Sequence, residues 1–274
     1  MIISASVVLY NTPEQLLGRV IGCCVDCKLI NTLFIIDNSP SKTTFNFDRY
    51  PFITYIKTNK NIGYGSAHNI ALSKILNKSD YHFVLNPDVF FSPESMGLII
   101  KRMELEGNVG QLLPRVCNPD GTLQYLCKLL PNPADLFLRR FFNKIKLTKN
   151  FDLRSSGYNQ EMNVPFLSGC FMALRVLALR EVGLFDERYF MYAEDIDLTR
   201  RIHKKFTTLY YPGATIVHEH AKESFKSFKM LIIHIVNVVR YFNKWGWFFD
   251  SDRCTINKRT LSSIKNNSKY FFDI

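Results

Sequence analysis

The chain opens on "ISASVVLYN", a β-branched and apolar run over positions 3–11 that reads as a first strand. It stops at Asn11-Thr12-Pro13-Glu14-Gln15. There Thr12 can cap a helix, Pro13 fits the first helical position and Gln15 completes a capping box. The helix that follows is expected to carry Leu16, Val20 and Cys24 on its apolar face. "NTLFIIDNS" predicts a second strand ending in Asp37-Asn38-Ser39, and "FITYIKT" a third. "NKNIGYGSAHNIALSKIL" gives a glycine-containing loop and then a helix; "YHFVLN" is a fourth strand and "SPESMGLIIKRMELEG" another capped helix. Strands that are apolar throughout, alternating with helices, predict a parallel α/β sheet.

The second half has a different rhythm. "NPDGTLQYLCKLLP" holds an Asp-Gly turn and predicts a hairpin. "FLRRFFNKIKLTKN" is basic and aromatic, and the chain then stays polar to about Gln160. "VPFLSGCFMALR" predicts one strand, and "EVGLFDERYFMYAEDIDLTRRIHKKF" leads into a helix from about Ala193. "TTLYYPGATIVHEH" predicts a short pair of strands. The chain closes with "SFKSFKMLIIHIVNVVRYFNKWGWFF" and a polar tail.

With 274 residues, 47% of them apolar, a substantial core can form, so global disorder is excluded. The formal charge of +11 suits nucleic acid, an anionic membrane or a phosphorylated substrate. Ten Lys/Arg against four Asp/Glu lie between Lys222 and Ile274, so the excess is concentrated in the tail. The opening lacks a basic n-region, which argues against a signal peptide. Cys24 and Cys27 form a C-x-x-C without a second pair to complete a zinc site; they are expected to be reduced core thiols.

"HFVLNPDVFF" places a carboxylate, Asp88, inside an apolar stretch. An unpaired buried charge is costly, so Asp88 must be at a strand end or beside a cation. Asn11, Asp37 and Asp88 each follow or end a predicted strand. In a parallel sheet they meet on one rim, where such folds bind ligands.

The stretches "VVLYN", "IIDNS", "NIGYGSAHN", "VLNPDV", "FLSGCFMALR", "VGLFDERYFMYAEDIDLTRRI" and "IVHEHAKES" run in order from residue 7 to 224. Through them the chain resembles the family 2 glycosyltransferases of bacterial surface-polysaccharide synthesis, O-antigen rhamnosyltransferases above all. The resemblance implies a GT-A fold, a Rossmann-like mixed sheet flanked by helices, over residues 1–224. It leaves 225–274 as a basic amphipathic C-terminal helical extension.

The resemblance also implies roles. "NPDV" stands where the family has its D-x-D metal motif, with Asn86 in place of the first carboxylate, and Asp88 as the ligand of Mg²⁺ or Mn²⁺. His218 completes the metal shell, with His220 a weaker candidate. Asp195 is the base that takes the acceptor proton, and Glu194 orients the acceptor or supports the base. A helix-start role accounts for part of Asp197. Tyr10, Asn11 and Asp37 sit beside the nucleotide base, with Asp37 accepting from the N3–H of uracil or thymine. Gly63 and Gly65 allow close approach of the nucleotide, and Asn69 fixes that loop or caps the helix. Gly169 and Arg175 lie on a strand beneath the acceptor.

The tail is interrupted by His234, Asn237 and Arg240, so it is no membrane span. Its apolar face, basic flank (Lys226, Lys229, Arg240, Lys244) and terminal aromatics suit a helix on an anionic membrane surface, the alternative being a docking helix. No nucleic-acid motif accompanies the charge, so nucleic acid is excluded as a partner. The expectation is an inverting transferase, peripheral at the cytoplasmic face of the inner membrane. It takes a dTDP or UDP sugar, rhamnose preferred, to a lipid-linked saccharide. The alternatives are a galactosyl- or glucosyltransferase using the UDP sugar, a sugar-nucleotide nucleotidyltransferase, or a non-catalytic membrane-surface protein. The nucleotidyltransferase would need a Gly-rich basic loop after the first strand, and "VVLYNTPEQ" has none.

Overall fold

The structure is a computed structural model that describes residues 1–136, 151–219 and 228–269. Four parallel strands begin it: β1 (Ile3–Leu9), β2 (Thr32–Asp37), β3 (Ile53–Lys57) and β4 (Tyr81–Leu85). Between and after them come α1 (Glu14–Cys27), α2 (Tyr64–Ile75), the two-residue β5 (Val89–Phe90), α3 (Pro93–Leu105) and β6 (Val109–Cys117). Next come short strands β7 (Cys127–Lys128), β8 (Met162–Asn163) and β9 (Phe166–Leu167), then β10 (Phe171–Arg175) and α4 (Val176–Val182). The described chain ends with α5 (Glu194–His203), β11 (Thr207–His218), α6 (Phe228–Trp245) and α7 (Ser251–Lys269).

Among the described residues the main sheet runs β3-β2-β1-β4-β10-β6-β11-β5, with β8 added to β11. β10 is antiparallel to both β4 and β6, so the sheet is mixed, as expected. Its strands are buried on both faces because helices cover both. Ser4, Ser6 and His82 are an exception inside it. Ser4 Oγ and Ser6 Oγ each lie 2.8 Å from a ring nitrogen of His82, and Ser6 Oγ reaches His68 of α2 at 2.7 Å. Mutual hydrogen bonds let these polar groups sit in an apolar layer, and burial holds the His82 imidazole down at about 3, neutral.

Several local expectations are corrected. α1 starts at Glu14 with Pro13 as its cap residue, and no side chain caps it; the Thr12 hydroxyl instead accepts from the Tyr10 N–H at 3.3 Å. Its buried face is Leu17, Val20, Ile21, Cys24 and Cys27, with Leu16 at the margin. The cap of α3 is as expected, Ser92 accepting from the Ser95 N–H with Pro93 next. The Asp120-Gly121 turn forms, but it returns the chain through a single bridge, Cys117 to Leu123, rather than a full hairpin. "VPFLSGCFMALR" is not one strand: β9 pairs with β7, and β10 joins the main sheet after a break at Ser168-Gly169-Cys170. Conversely, "TTLYYPGATIVH" is one strand, β11, with a register shift between Tyr211 and Thr215 in place of a turn. α4 and the separate α7 have no counterpart in the pattern reading. The basic stretch 137–150, His220 and Lys226 lie outside the described residues.

The C-terminal helices are anchored to the sheet domain by buried charge. Arg200 of α5 makes a two-pronged ion pair with Asp250 (2.7 and 2.8 Å), the side chains 1% and 4% exposed. The Arg200 guanidinium also lies 4.1 Å from the centre of the Trp245 ring. Asp197, fully buried, accepts from Arg201 Nε and Trp245 Nε1 (both 2.8 Å) and pairs with Lys244 at 2.6 Å. Val238, Tyr241 and Phe242 fill the remaining gap beside Tyr189, Ala193 and Ile196. α6 therefore packs one of its faces along this part of the domain. Asp250→Ala is expected to cost about 3–5 kcal/mol, because it strands the Arg200 charge, while the double variant Arg200→Met/Asp250→Leu regains much of that loss. Denaturant melts of the three proteins check both.

Candidate active site

The carboxyl ends of β1, β2 and β4 share one rim, and Asn11, Asp37 and Asp88 stand on it. Asp88 lies in the turn after β4. It is drawn against β11 by the two-residue β5, whose register sets Val89 opposite His218; the Glu219 N–H also donates to the Asp88 carbonyl at 2.9 Å. His218 Nε2 consequently sits 3.4 Å from Asp88 Oδ1. From α1, Arg19 grips Glu219 with both arms (2.7 and 2.9 Å) and lies 3.8 Å from the centre of the Phe90 ring, bracing the same corner.

Asp88 Oδ1 is buried and receives no hydrogen bond from the described residues. A buried carboxylate oxygen and an imidazole nitrogen facing each other form an oxygen-plus-nitrogen donor set that suits Mn²⁺ or Mg²⁺. The pair offers a divalent cation two ligands; among the described residues no third His, Cys, Asp or Glu joins them. Burial disfavours the charged His218 ring, but the nearness of Asp88 and Cys170 outweighs it and raises the imidazole to about 10. Without a metal, a proton therefore holds the two groups together.

Asn86 stands one position before Pro87, and its N–H donates to the Cys170 carbonyl at 2.9 Å. The Tyr64 hydroxyl lies 2.9 Å from Asn86 Oδ1 and 2.8 Å from the Gly169 carbonyl. Gly169 in turn donates its N–H to Asp195 Oδ2 at 3.0 Å. A continuous path therefore joins the "NPD" turn to the carboxylates of α5. Gly169 is required there, since a Cβ would lie 2.9 Å from Asp195 Cβ.

Asp195 Oδ1 takes a second N–H, from Ile196 at 2.8 Å, and the side chain stays partly open to solvent. Glu194 is 4% exposed and accepts from the Ala193 N–H at 2.9 Å. Burial and the neighbouring Asp195 charge push the Glu194 carboxyl up to about 8. Burial raises Asp195 as well, but the Gly169 N–H and the charge of Lys128 oppose that. The pair thus keeps its negative charge on Asp195 and its proton on Glu194. Just before them, Tyr192 has φ +86°, a left-handed conformation that costs a non-glycine residue strain. Asn237 of α6 donates to the Met191 carbonyl at 2.7 Å and helps hold this loop.

Other expected residues occupy different surroundings. Tyr10 is 53% exposed on the rim, and Asn11 is left-handed (φ +51°), its N–H donating to Ser39 Oγ at 2.9 Å. Asp37 is wholly buried: it accepts from Tyr55 Oη at 2.6 Å and from the Ser39 N–H at 2.9 Å. Burial works against its charge, yet these donors and Lys57 keep it below the usual carboxylate range. Gly63 (φ +92°) permits close approach, but of protein: a Cβ would lie 2.5 Å from the Phe190 carbonyl. A Cβ on Gly65 would meet Phe185 at 3.0 Å and Glu194 at 3.3 Å. Asn69 is neither a cap nor a tie within its own loop; its amide is bonded to both backbone groups of Phe185 and to Glu187, fixing the loop ahead of α5. Arg175 is at the opposite rim, paired in register with Tyr81 and donating to the carbonyls of Met103 and Val109. Gln124, Tyr64 and Arg19 have no mark in the sequence that separates them from ordinary polar residues.

The profile of the family described as Glycosyl transferase family 2 matches residues 4–183. The N-acetylglucosaminyl-diphospho-decaprenol L-rhamnosyltransferase of Mycobacterium tuberculosis is 30% identical over 193 residues, 63% of this chain and 61% of its own length. The match thus spans about three fifths of that relative. Rhamnosyltransferase WbbL of Escherichia coli is 29% identical over 188 residues, 65% of this chain and 69% of WbbL. Among solved structures, GalNAc-T7 with UDP, GalNAc and Mn²⁺ superposes with a TM-score of 0.64 at 15% identity, covering 89% of this chain and 48% of that one. The mannosyltransferase PcManGT of Pyrobaculum calidifontis, with GDP-Man and Mn²⁺, gives 0.56 at 13% identity, covering 96% and 75%. The fold is GT-A.

The Glu194 assignment has a pH signature. Its folded carboxyl holds a proton that the unfolded chain releases above the ordinary glutamate range, so stability is lost as pH rises from about 4.5 through about 8. Glu194→Gln removes this loss. The melting temperature of the variant relative to the parent is expected to climb across that window; parallel profiles would mean that Glu194 is ionised in the fold.

Proposed function

The chain belongs to glycosyl transferase family 2, and from that premise we propose that it transfers a sugar, with inversion, from a nucleoside diphosphate donor to a hydroxyl of a lipid-linked saccharide. The donor we favour is dTDP-rhamnose. Both rhamnosyltransferase relatives support that choice, and the mycobacterial one is named for a diphospho-decaprenol acceptor. The setting we favour is O-antigen assembly at the cytoplasmic face of the inner membrane.

One observation carries the reading. Asp88 with His218 3.4 Å away, and a partly open carboxylate, Asp195, are tied to each other through Asn86, Tyr64 and Gly169. Transfer to a hydroxyl needs those two functions at a fixed separation. When bound, a divalent cation at Asp88 and His218 supplies positive charge for the departing diphosphate. Asp195 accepts the proton of the attacking hydroxyl. Its two backbone N–H bonds hold the carboxylate in place while leaving lone pairs for that proton. Attack from the side opposite the leaving group inverts the anomeric carbon. Glu194, kept protonated, avoids a second charge beside the base. Tyr10 and Asn11 on the rim, with Asp37 beneath, form the side on which the nucleotide base rests. Gly63, Gly65 and Asn69 shape that side through their packing against 185–194.

We further propose residues 225–274 as a membrane-associating extension of a catalytic domain spanning 1–224. Among the described residues no helix is long and apolar enough to cross a membrane. α6 carries Phe228, Ile232 and Val236, all exposed, at a spacing of four, away from its docked face. Phe248 and Phe249, 80% and 98% exposed, stand at the turn into α7. Lys244 does not contribute as expected, because its charge is used by Asp186 and Asp197. The aromatic turn is the stronger anchor.

Asp195→Asn is expected to lower turnover by about 10²–10⁴-fold with donor binding retained. Asp88→Ala should abolish metal-dependent donor binding. Activity with a panel of dTDP and UDP sugars, alongside calorimetric donor titration, tests both. Full turnover in either variant would remove that residue from the mechanism.

Phe248→Ser/Phe249→Ser is expected to reduce partition onto phosphatidylglycerol vesicles by about tenfold or more. Turnover of a short soluble acceptor should be unchanged. Vesicle sedimentation that does not distinguish the variant from the parent would make the turn an ordinary exposed loop.

A further inference from the structure

We infer that Gln124 is a positioning residue for the cation-binding pair: it fixes which nitrogen of His218 faces Asp88. This rests on the reading of Asp88 and His218 as the cation ligands. Gln124 lies in the segment that returns from the Asn118–Thr122 turn, half-buried beside the end of β11. Its side chain touches His218 twice. Nε2 donates to the His218 main-chain carbonyl at 2.8 Å, and Oε1 lies 3.0 Å from His218 Nδ1.

The orientation of this amide follows from chemistry. A main-chain carbonyl only accepts, so the atom 2.8 Å from it must be the NH₂ group. The same NH₂ donates to Asn118 Oδ1 at 2.7 Å. Asn118 is held in turn: its Nδ2 donates to Thr122 Oγ1 at 2.8 Å, and its N–H donates to the Thr122 carbonyl at 2.8 Å. With the NH₂ committed, Gln124 presents its oxygen to the ring, and an amide oxygen only accepts. His218 Nδ1 therefore carries a hydrogen.

The other ring nitrogen, Nε2, is then the one whose lone pair is available toward Asp88 Oδ1, 3.4 Å away. Two acceptors at that distance repel unless a cation lies between them. Gln124 thus keeps Nδ1–H turned away from Asp88 and sets Nε2 toward it, where a proton or a metal cation can offset the repulsion. A ligating histidine held at its second nitrogen by an acceptor is more basic and better oriented toward metal. The turn Asn118-Pro119-Asp120-Gly121-Thr122 acquires a purpose from this: it anchors Gln124, which sets a ligand's orientation from 94 residues earlier in the chain.

The test is Mn²⁺ affinity, read from loss of the free-ion EPR signal with the full chain and Mn²⁺ alone, at one pH. Gln124→Met keeps the length of the side chain but offers no acceptor; it is expected to weaken Mn²⁺ binding by about 10–100-fold. Gln124→Glu keeps an oxygen on Nδ1 and is expected to stay within about fivefold of the parent, which a merely structural role would not produce. Melting temperatures show that the variants are folded. If Gln124→Met fails to fold, Asn118→Ala, which loosens Gln124 without touching the ring, is expected to weaken binding by about threefold or more. Asp88→Ala separates the two ideas. If it loses Mn²⁺ while Gln124→Met binds like the parent, or while Gln124→Glu is as weak as Gln124→Met, the role of Gln124 is overturned and the cation pair stands. If Asp88→Ala itself binds Mn²⁺ normally, the cation pair fails and Gln124 has nothing to position.

Discussion

The break at Ser168-Gly169-Cys170 is the constraint on which the rest of the site depends. The chain leaves the β7–β9 ladder there and enters the main sheet as β10, antiparallel to its neighbours. At the crossing, Gly169 gives its N–H to Asp195 and receives the Tyr64 hydroxyl on its carbonyl. One residue later, Cys170 accepts from the N–H of Asn86. A side chain at 169 would collide with Asp195, so only glycine lets the α5 carboxylates come this close. A Tyr64 hydroxyl has one proton for two neighbours. Asn86 Oδ1 and the Gly169 carbonyl both face that proton and share it. An aspartate at 86, being charged, would draw it more strongly away from Gly169.

Charge buried around α5 gives the other half of the architecture. Glu194, Asp195 and Asp197 crowd its first turn, and each is treated differently. Asp197 is neutralised by Arg201 and Lys244, Asp195 by backbone N–H groups, and Glu194 by retaining a proton. Separating the three environments leaves one reactive carboxylate among three neighbours. The C-terminal helices take part directly: Lys244 and Trp245 serve Asp197, and Asn237 holds the strained loop that leads into Glu194.

Much of this was legible in the sequence, for physical reasons that also mark the limits. Strands β1 to β4 and helices α1 to α3 stand out because doubly covered parallel strands are apolar throughout and helices repeat with their own period. "VPFLSGCFMALR" looks continuous because the residues at its break are small and interrupt no pattern. Pro212-Gly213 looks like a turn, yet Gly213 packs against the Tyr211 ring, where a Cβ would lie 2.4 Å away, and the strand continues through a bulge. Gly63 and Gly65 suggest a close approach, but a glycine does not say what approaches it; in the fold Phe190 and Phe185 lie against them. Asn69 and Gln124 act on residues 116 and 94 positions away, a separation at which a single sequence carries no signal.

The strand order also has a consequence for the growing chain. Among the described strands, β6 pairs with β10 and β11, and β5 with β11. A nascent chain that has just emerged through residue 117 therefore has β1 to β4 able to pair, with β6 stranded and one side of β4 uncovered. Closure waits for β10, and the corner holding Asp88 and His218 cannot form before β11 is complete. Ribosomal delay between residues 117 and 207 prolongs the exposure of an open sheet edge, the kind of surface that chaperones hold and that neighbouring chains can pair with.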